Sequence, residues 1–401
     1  MTDAAQERPI FFGIDLPRAD AVHPRGVPLL LRGVLAFATG PAARVHVRVA
    51  GRPLVSSPLG DTRDDVRDLY PPARLHDRPC GYHLYCHLPD DLDDGVHQLD
   101  FLAEDTSGTI VPVGSRAIHL SSTDGEVFNP FPDGHFYSAV VNVAELARER
   151  ARVWPDQPTI VGIDFRHESQ RRLLVEAFPK YAGDFDYPSD LPPGSPEYAY
   201  RRNNPVFSMF DATTLFVLLR SIRPTHMIEV GSGYSSLLVA DVNRRFLGSA
   251  LDFTCIEPYP RPFLKDGIPG MTRLITKRVQ EVPLDEYQRL GAGDILFIDS
   301  SHVGKTGSDV NHLFFEVIPR LRAGVVIHVH DIFLPHDYPV ERVLGEKLSW
   351  NEQYLLRALL MFSDTFEVVF GASYARHYFP ELLDEAARAT LSGSFWFRKV
   401  K

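Results

Sequence analysis

The chain has 401 residues, a formal net charge of −10, 44% hydrophobic residues and 23% charged ones. That is the balance of a globular protein with a sizeable core and room for two domains. The acidic surplus argues against a partner held by attraction to phosphate, so neither nucleic acid nor an anionic membrane is expected.

No apolar stretch approaches the ~20 residues of a membrane span, and "MTDAAQERPI" carries no secretion signal. Cys80, Cys86 and Cys255, an odd set, fit reduced thiols in the cytoplasm, although Cys80 and Cys86 could pair within one hairpin.

In chain order, residues 1–122 read as short strands between turns: "PLLLRGVLAFA", "RVHVRVAGRPL", "GYHLYCHL", "HQLDFLAED" and "RAIHLSS". Val45-His46-Val47-Arg48-Val49 alternates as a strand with one buried face does. Turn signals about every ten residues suit an all-β sandwich. The stretches "RVHVRVAGRPL", "GDTRDDVRDLYPP" and "GYHLYCHLPDDLDDGVHQLDFLAEDTSG" also resemble an immunoglobulin-like accessory domain of bacterial glycan-modifying proteins, over roughly residues 25–122. The resemblance implies a spacer, an oligomerisation module or a carbohydrate-proximal role.

Residues 123–205 form a connector with "NPFPDGHFYSAVV", a helical "NVAELARERARVW" and the loop "YPSDLPPGSPEYAYRRNNP". A long irregular loop is either a lid or a linker. Its Phe136, Tyr137, Tyr198 and Tyr200 would stack on sugar rings or fill a domain interface.

Over 206–401 helices and strands alternate. Asp211 is expected to cap a helix through "ATTLFVLLRSIRP" that Pro224 closes. The strands "HMIEV", "DFTCIE", "TRLITK", "GDILFID", "GVVIHVHD", "FEVVFG" and "GSFWFRKV" follow, most with helices between them. Such alternation predicts a mainly parallel sheet covered by helices on both faces, with "ILFI" and "GVVIHV" in its middle.

Ligands of such sheets sit beyond the carboxyl ends of the strands. The first strand ends in Glu229-Val230-Gly231-Ser232-Gly233-Tyr234-Ser235, a turn whose glycines admit close backbone approach. It departs from the dinucleotide fingerprint where a third glycine would fall. Glu257 ends the second strand, where an acid suits ribose hydroxyls, and Gln280 follows the third as a partner for an adenine edge. Asp299 and His302 end the fourth strand and His330 and Asp331 the fifth, so these four should converge. They could hold a divalent cation or supply a general base. His328, inside the fifth strand, reads as structural. Further on, His336 and Asp337 of "PHDYP" are placed to touch substrate, and Trp350 and Gln353 face either core or acceptor.

"MIEVGSGYSS", "CIEPYP", "DILFIDSSHVGKTGSDV" and "LRAGVVIHVHDIFLP" resemble the successive motifs of class I S-adenosylmethionine-dependent methyltransferases. The likeness is greatest to the branch acting on sugars and natural products, from about residue 205 to the end. It implies a Rossmann-like α/β domain with a seven-stranded, mostly parallel sheet and an antiparallel last strand. It also implies S-adenosylmethionine on Glu229, Gly231, Ser232, Gly233, Tyr234, Ser235, Glu257, Gln280 and Asp299. His302 would be the base, and Mg²⁺ would sit on Asp299 and Asp331 with His330. His330-Asp331 departs from the pair of acidic or amide ligands of metal-dependent relatives, which leaves the metal open.

The expected activity is methylation of a hydroxyl on a sugar, glycan or glycosylated natural product, by a chain able to form a homo-oligomer. A nucleotide-dependent oxidoreductase and a non-catalytic glycan-binding scaffold are the alternatives.

Overall fold

Val45, Val47 and Val49 are buried while Arg48 between them is exposed, the two-residue period of a sheet with one face on a core. The computed structural model to which they belong describes residues 9–19, 21–37, 40–61, 63, 80–122, 131 and 133–401. The chain divides into two compact units, residues 1–130 and 131–401.

The first unit is all-β. Its strands are β1 (Pro9–Leu16), β2 (Ala21–Pro24), β3 (Leu29–Phe37), β4 (Gly40–Pro41), β5 (Arg44–Val49), β6 (Arg52–Pro58), β7 (Gly81–Cys86), β8 (Gly95–Glu104) and β9 (Ile110–Ser121). One sheet runs β1-β3-β4 with β7 also paired to β3, and the other runs β2-β9-β8-β5-β6. Leu31, Leu35 and Phe37 of β3 share one core with Val45 and Val47 of β5 and Leu99 and Phe101 of β8, so the two sheets face each other. All five expected strands are present, while β1 and β2 lack the alternation that would have announced them. Most of "GDTRDDVRDLYPP" and residues 123–130 of the connector lie outside the described residues. Cys80, Cys86 and Cys255 are buried thiols, and burial pushes Cys86 up to about 11.

The second unit is built on a seven-stranded sheet in the order β12-β11-β10-β13-β14-β16-β15. The strands are β10 (His226–Val230), β11 (Asp252–Ile256), β12 (Arg273–Ile275), β13 (Ile295–Ile298), β14 (Val326–Val329), β15 (Phe366–Gly371) and β16 (Phe395–Lys399). β16 is antiparallel to both of its neighbours and the first five strands are mutually parallel. β13 and β14 are buried along their whole length, which their apolar sequences require. His328 is tolerated there because its ring stacks 3.8 Å from Phe297 and its Nε2 bonds Ser394 Oγ at 3.0 Å, the structural role expected of it.

Register fixes the site. Val230 pairs with both Ile256 and Ile298, and Ile298 with Val329. The next residues, Gly231, Glu257, Asp299 and His330, therefore leave the sheet in one row.

The helix Met209–Ile222 is capped by Ser208, whose Oγ accepts from the Asp211 amide at 3.2 Å. This corrects the expected Asp211 cap. Asp211 is buried in the first turn, where its carboxylate accepts from the Ser208 hydroxyl and the Ser394 amide. The connector is not a free strap: Phe165, Leu174, Tyr187 and Tyr200 join the same core as the sheet. Phe136 and Tyr137 are exposed and Tyr198 is at the margin. Among the described residues no helix is long and apolar enough to cross a membrane.

At the other edge of the sheet, Asp294 ties β10 to β13. It accepts from the Thr225 amide and hydroxyl, the His226 and Gly291 amides and the His226 ring. Burial alone would raise its carboxyl, but these donors hold it below the usual range. A lowered value stabilises the fold above the unfolded value near 4 and is lost as pH falls through the folded one. Asp294→Ala is expected to cost about 3 kcal/mol in denaturant unfolding at pH 7, with a smaller gap in acid.

Candidate active site

The row of strand ends opens into a cavity of about 670 Å³. Gly231, Ser232, Gly233, Tyr234, Ser235, Glu257, Asp299, His302, His330 and Asp331 all line it, as the sequence led us to expect. A smaller cavity of about 250 Å³ adjoins Glu257, Gln280 and Asp299. Gln280 lines that second space while its amide donates to the Gly307 carbonyl at 2.9 Å.

Gly231 holds φ 80°, and a Cβ there would fall 1.7 Å from the Asp299 carbonyl oxygen. Only glycine brings the turn this close to the end of β13. The helix Tyr234–Phe246 starts directly after it, with Gly233 as N-cap and the Gly233 amide donating to Ser236 Oγ. The Glu257 carboxylate is fixed by the amides of Ser232 at 3.1 Å and Tyr259 at 2.8 Å, which aims it at the cavity rim. Ser232 is buried, and its hydroxyl has no partner among the described residues.

Glu229 is placed differently from the expectation that it touches the ligand. It is wholly buried and accepts from Ser235 Oγ at 2.6 Å, Ser236 Oγ at 2.5 Å and Cys255 Sγ at 3.3 Å. Burial pushes its carboxyl up to about 7 against the pull of those three donors. Its work is to pin the first turn of the helix to β10.

On the other side of the cavity stands His302, at φ 61° and buried against the Trp350 ring at 4.5 Å. Its Nδ1 meets Glu352 Oε2 at 2.9 Å, and its Nε2 lies 3.5 Å from both Asp299 Oδ1 and Asp331 Oδ2. Burial alone would lower the imidazole, but the Glu352 hydrogen bond and the charges of Glu352, Asp299 and Asp331 win and raise it to about 9. At neutral pH the resting ring is therefore mostly the imidazolium, so a base role requires it to lose that proton first. Asp331 also takes a left-handed φ, 54°. Two non-glycine residues in the left-handed region are costly and are held by the packing around them.

His330 is buried, 4.0 Å from Asp211 Oδ2. The charges of Asp299, Asp331 and Asp211 raise it against the effect of burial.

The expected metal set of Asp299, Asp331 and His330 is not borne out. Among the described residues no three His, Cys, Asp or Glu side chains are arranged to hold an ion. The His302 imidazole nitrogen faces both carboxylates, the place a bridging cation would need. His336 and Asp337 lie off the cavity: His336 pairs with His377 and Asp337 accepts from Tyr354. Trp350 lines the cavity, whereas Gln353 is core, bonding the Phe333 amide and the His336 carbonyl.

Three lining or supporting groups escaped the sequence reading. Asp211 looked like a cap, Glu352 like an ordinary acid in a helix first turn, and Arg342 stood in no motif. Only the Ser208-x-x-Asp211 spacing carried a usable signal, that of a capped turn at the sheet's ligand edge.

Comparison with known proteins agrees with this geometry. Residues 228–332, from β10 to just past β14, match a family described as methyltransferase domain. Over 173 residues the chain is 36% identical to an uncharacterized protein of Archaeoglobus fulgidus, covering 42% of this chain and 77% of that protein. Two solved structures cover under a third of this chain. The fibronectin(III)-like modules of Clostridium thermocellum CbhA are 14% identical over 28% of this chain and 99% of theirs, with a TM-score of 0.20. CopC from Methylosinus trichosporium is 15% identical over 30% and 99%, with a TM-score of 0.17. Likenesses that low carry no argument about the fold. The glycine turn, Glu257, Asp299 and His302 all fall within the matched stretch, so residues 228–332 carry a methyltransferase domain, a match that supports a class I S-adenosylmethionine-dependent methyltransferase.

Proposed function

We propose that this chain transfers a methyl group to a hydroxyl of a sugar, glycan or glycosylated natural product, with His302 taking the hydroxyl proton. The observation that carries the reading is the setting of His302, with Nδ1 on a buried carboxylate and Nε2 turned toward Asp299 and Asp331 in the cavity. S-adenosylmethionine, when bound, supplies a methyl group already activated on a sulfonium. The cradle left by Gly231, the unpartnered Ser232 hydroxyl and the Glu257 carboxylate fit that cofactor, with Gln280 and Asp299 flanking the adjoining space.

An alcohol is too weak an acid to ionise at neutral pH, so the chain's task is the proton. Glu352 holds the imidazole by Nδ1 and leaves Nε2 as the atom that accepts it. Asp299 and Asp331 then face a cation and offset its charge. A base raised to about 9 is scarce in its neutral form at pH 7 but stronger once formed, which favours proton transfer from a weak acid. No step runs through a metal.

The two-sheet N-terminal unit supports an immunoglobulin-like accessory module, and the reduced cysteines support a cytoplasmic setting.

The test is calorimetric titration with S-adenosylhomocysteine, followed by methyl transfer assayed on nucleotide sugars, oligosaccharides and glycosylated aglycones. Micromolar binding and a methyl ether product are expected. Binding with transfer only to nitrogen or carbon acceptors would overturn the hydroxyl reading.

A further inference from the structure

Tyr234, the first residue of the helix that follows the glycine turn, carries two guanidinium groups on its ring. Arg201 and Arg261 each stand 5.6 Å from the ring centre, so they are no more than twice that from each other. Arg201 reaches the Asn203 carbonyl at 3.2 Å and the Tyr234 hydroxyl at 3.4 Å. Neither arginine has a carboxylate partner among the described residues. Other arginines of this acidic chain do have such partners: Arg342, on the same cavity, is bound to Glu346. Arg261 and Tyr234 both line the main cavity, and the Arg261 Nε lies 4.0 Å from where a Gly233 Cβ would stand.

Two guanidinium groups without a carboxylate partner on one aromatic ring, beside the N-terminal end of a 13-residue helix, make a setting that favours an anion. The planar fork of arginine matches carboxylate and phosphate oxygens in pairs, which water can do only at the loss of that geometry. We propose that Arg201 and Arg261, braced on Tyr234, form a seat for an oxyanion, carboxylate or phosphate, at the mouth of the cavity. Two ligands of the methyltransferase reading bring such a group, the amino-acid end of the cofactor and an acidic acceptor such as a sugar phosphate. The proposal rests on that reading for which ligand arrives, but not for the anion binding itself.

The experiment compares the full chain, Arg201→Gln/Arg261→Gln, and Arg48→Gln, which removes one exposed charge from the other unit. Each is titrated with S-adenosylhomocysteine, with 5′-methylthioadenosine, which lacks the amino-acid end, and with inorganic phosphate. Loss of at least tenfold in S-adenosylhomocysteine affinity with methylthioadenosine unchanged supports the seat and assigns it to the cofactor. Loss of phosphate binding with both adenosyl ligands unchanged supports it and assigns it to the acceptor. Equal binding of all three by the double variant and Arg48→Gln overturns it. Should the unaltered chain bind neither adenosyl ligand, the methyltransferase reading fails by itself, and the phosphate arm still decides the seat.

Discussion

His302→Ala is expected to lower kcat/KM by about 10²–10⁴-fold, the usual worth of a positioned general base, and to leave S-adenosylhomocysteine affinity within about threefold. The pH profile separates this role from a structural one. Because the ring titrates near 9, kcat/KM of the unaltered enzyme should climb about tenfold per pH unit from 7 and level off near 9. The variant should lose that climb. Glu352→Gln keeps a hydrogen-bonding side chain but removes one of the three charges that raise His302, so its inflection should move toward acid.

Stability supplies a second readout with a fixed sign. A folded value raised above the unfolded 6.5 contributes stability that is fully present below 6.5 and lost as pH rises through about 9. Glu229, raised to about 7, acts in the same direction at lower pH, so the informative quantity is the difference between the enzyme and His302→Ala across 6.5 to 9. A flat difference together with full activity in the variant would remove His302 from the mechanism.

How far the sequence revealed this site follows from what kind of signal each residue leaves. The strand ends were legible because "ILFI" and "GVVIHV" are too apolar and too short to be anything but central strands, and the residue after a central strand has few places to go. The glycine turn was legible because Gly231 has no other reason to interrupt an apolar strand end. Asp299, His302, His330 and Asp331 were therefore found together.

Glu229 was misplaced for a physical reason. The sequence shows that an acid ends the strand, but not that Ser235, Ser236 and Cys255 lie around it and consume its lone pairs. Glu352 was missed for the converse reason. An acid in a helix first turn is ordinary electrostatics, and nothing local shows that this one is wholly buried 50 residues along the chain from its imidazole partner. The ionisation state of His302 was out of reach for the same cause, since it is set by three carboxylates from three separate segments. In the first unit β1 and β2 went unseen because strands of irregular pattern are specified by their partners β3 and β9 rather than by their own periodicity.

Gly231→Ala should have the largest effect on the fold and the cofactor together. A left-handed backbone alone costs a residue with a Cβ about 1–2 kcal/mol, and the new methyl would meet backbone rather than a side chain that can swing away. Its nearest neighbours are the Asp299 carbonyl oxygen at 1.7 Å and carbon at 2.7 Å. The turn cannot simply retreat. The Gly231 amide is bonded to the Ile256 carbonyl at 3.0 Å and the Asp299 amide to the Val230 carbonyl at 2.9 Å, so β10, β11 and β13 would all have to part.

The expected result is a lower Tm and a fall of at least about 100-fold in S-adenosylhomocysteine affinity, equivalent to roughly 2.7 kcal/mol. Turnover should fall too, because Asp299 moves with its carbonyl. Gly233→Ala is the control: its φ of −167° lies outside the left-handed region, and the nearest atom to a new Cβ is Arg261 Nε at 4.0 Å. That variant should lose no more than about 1 kcal/mol, the difference between glycine and alanine at an N-cap. If thermal melting ranked the two substitutions equally, the close approach of the turn to β13 would not be what demands a glycine at 231.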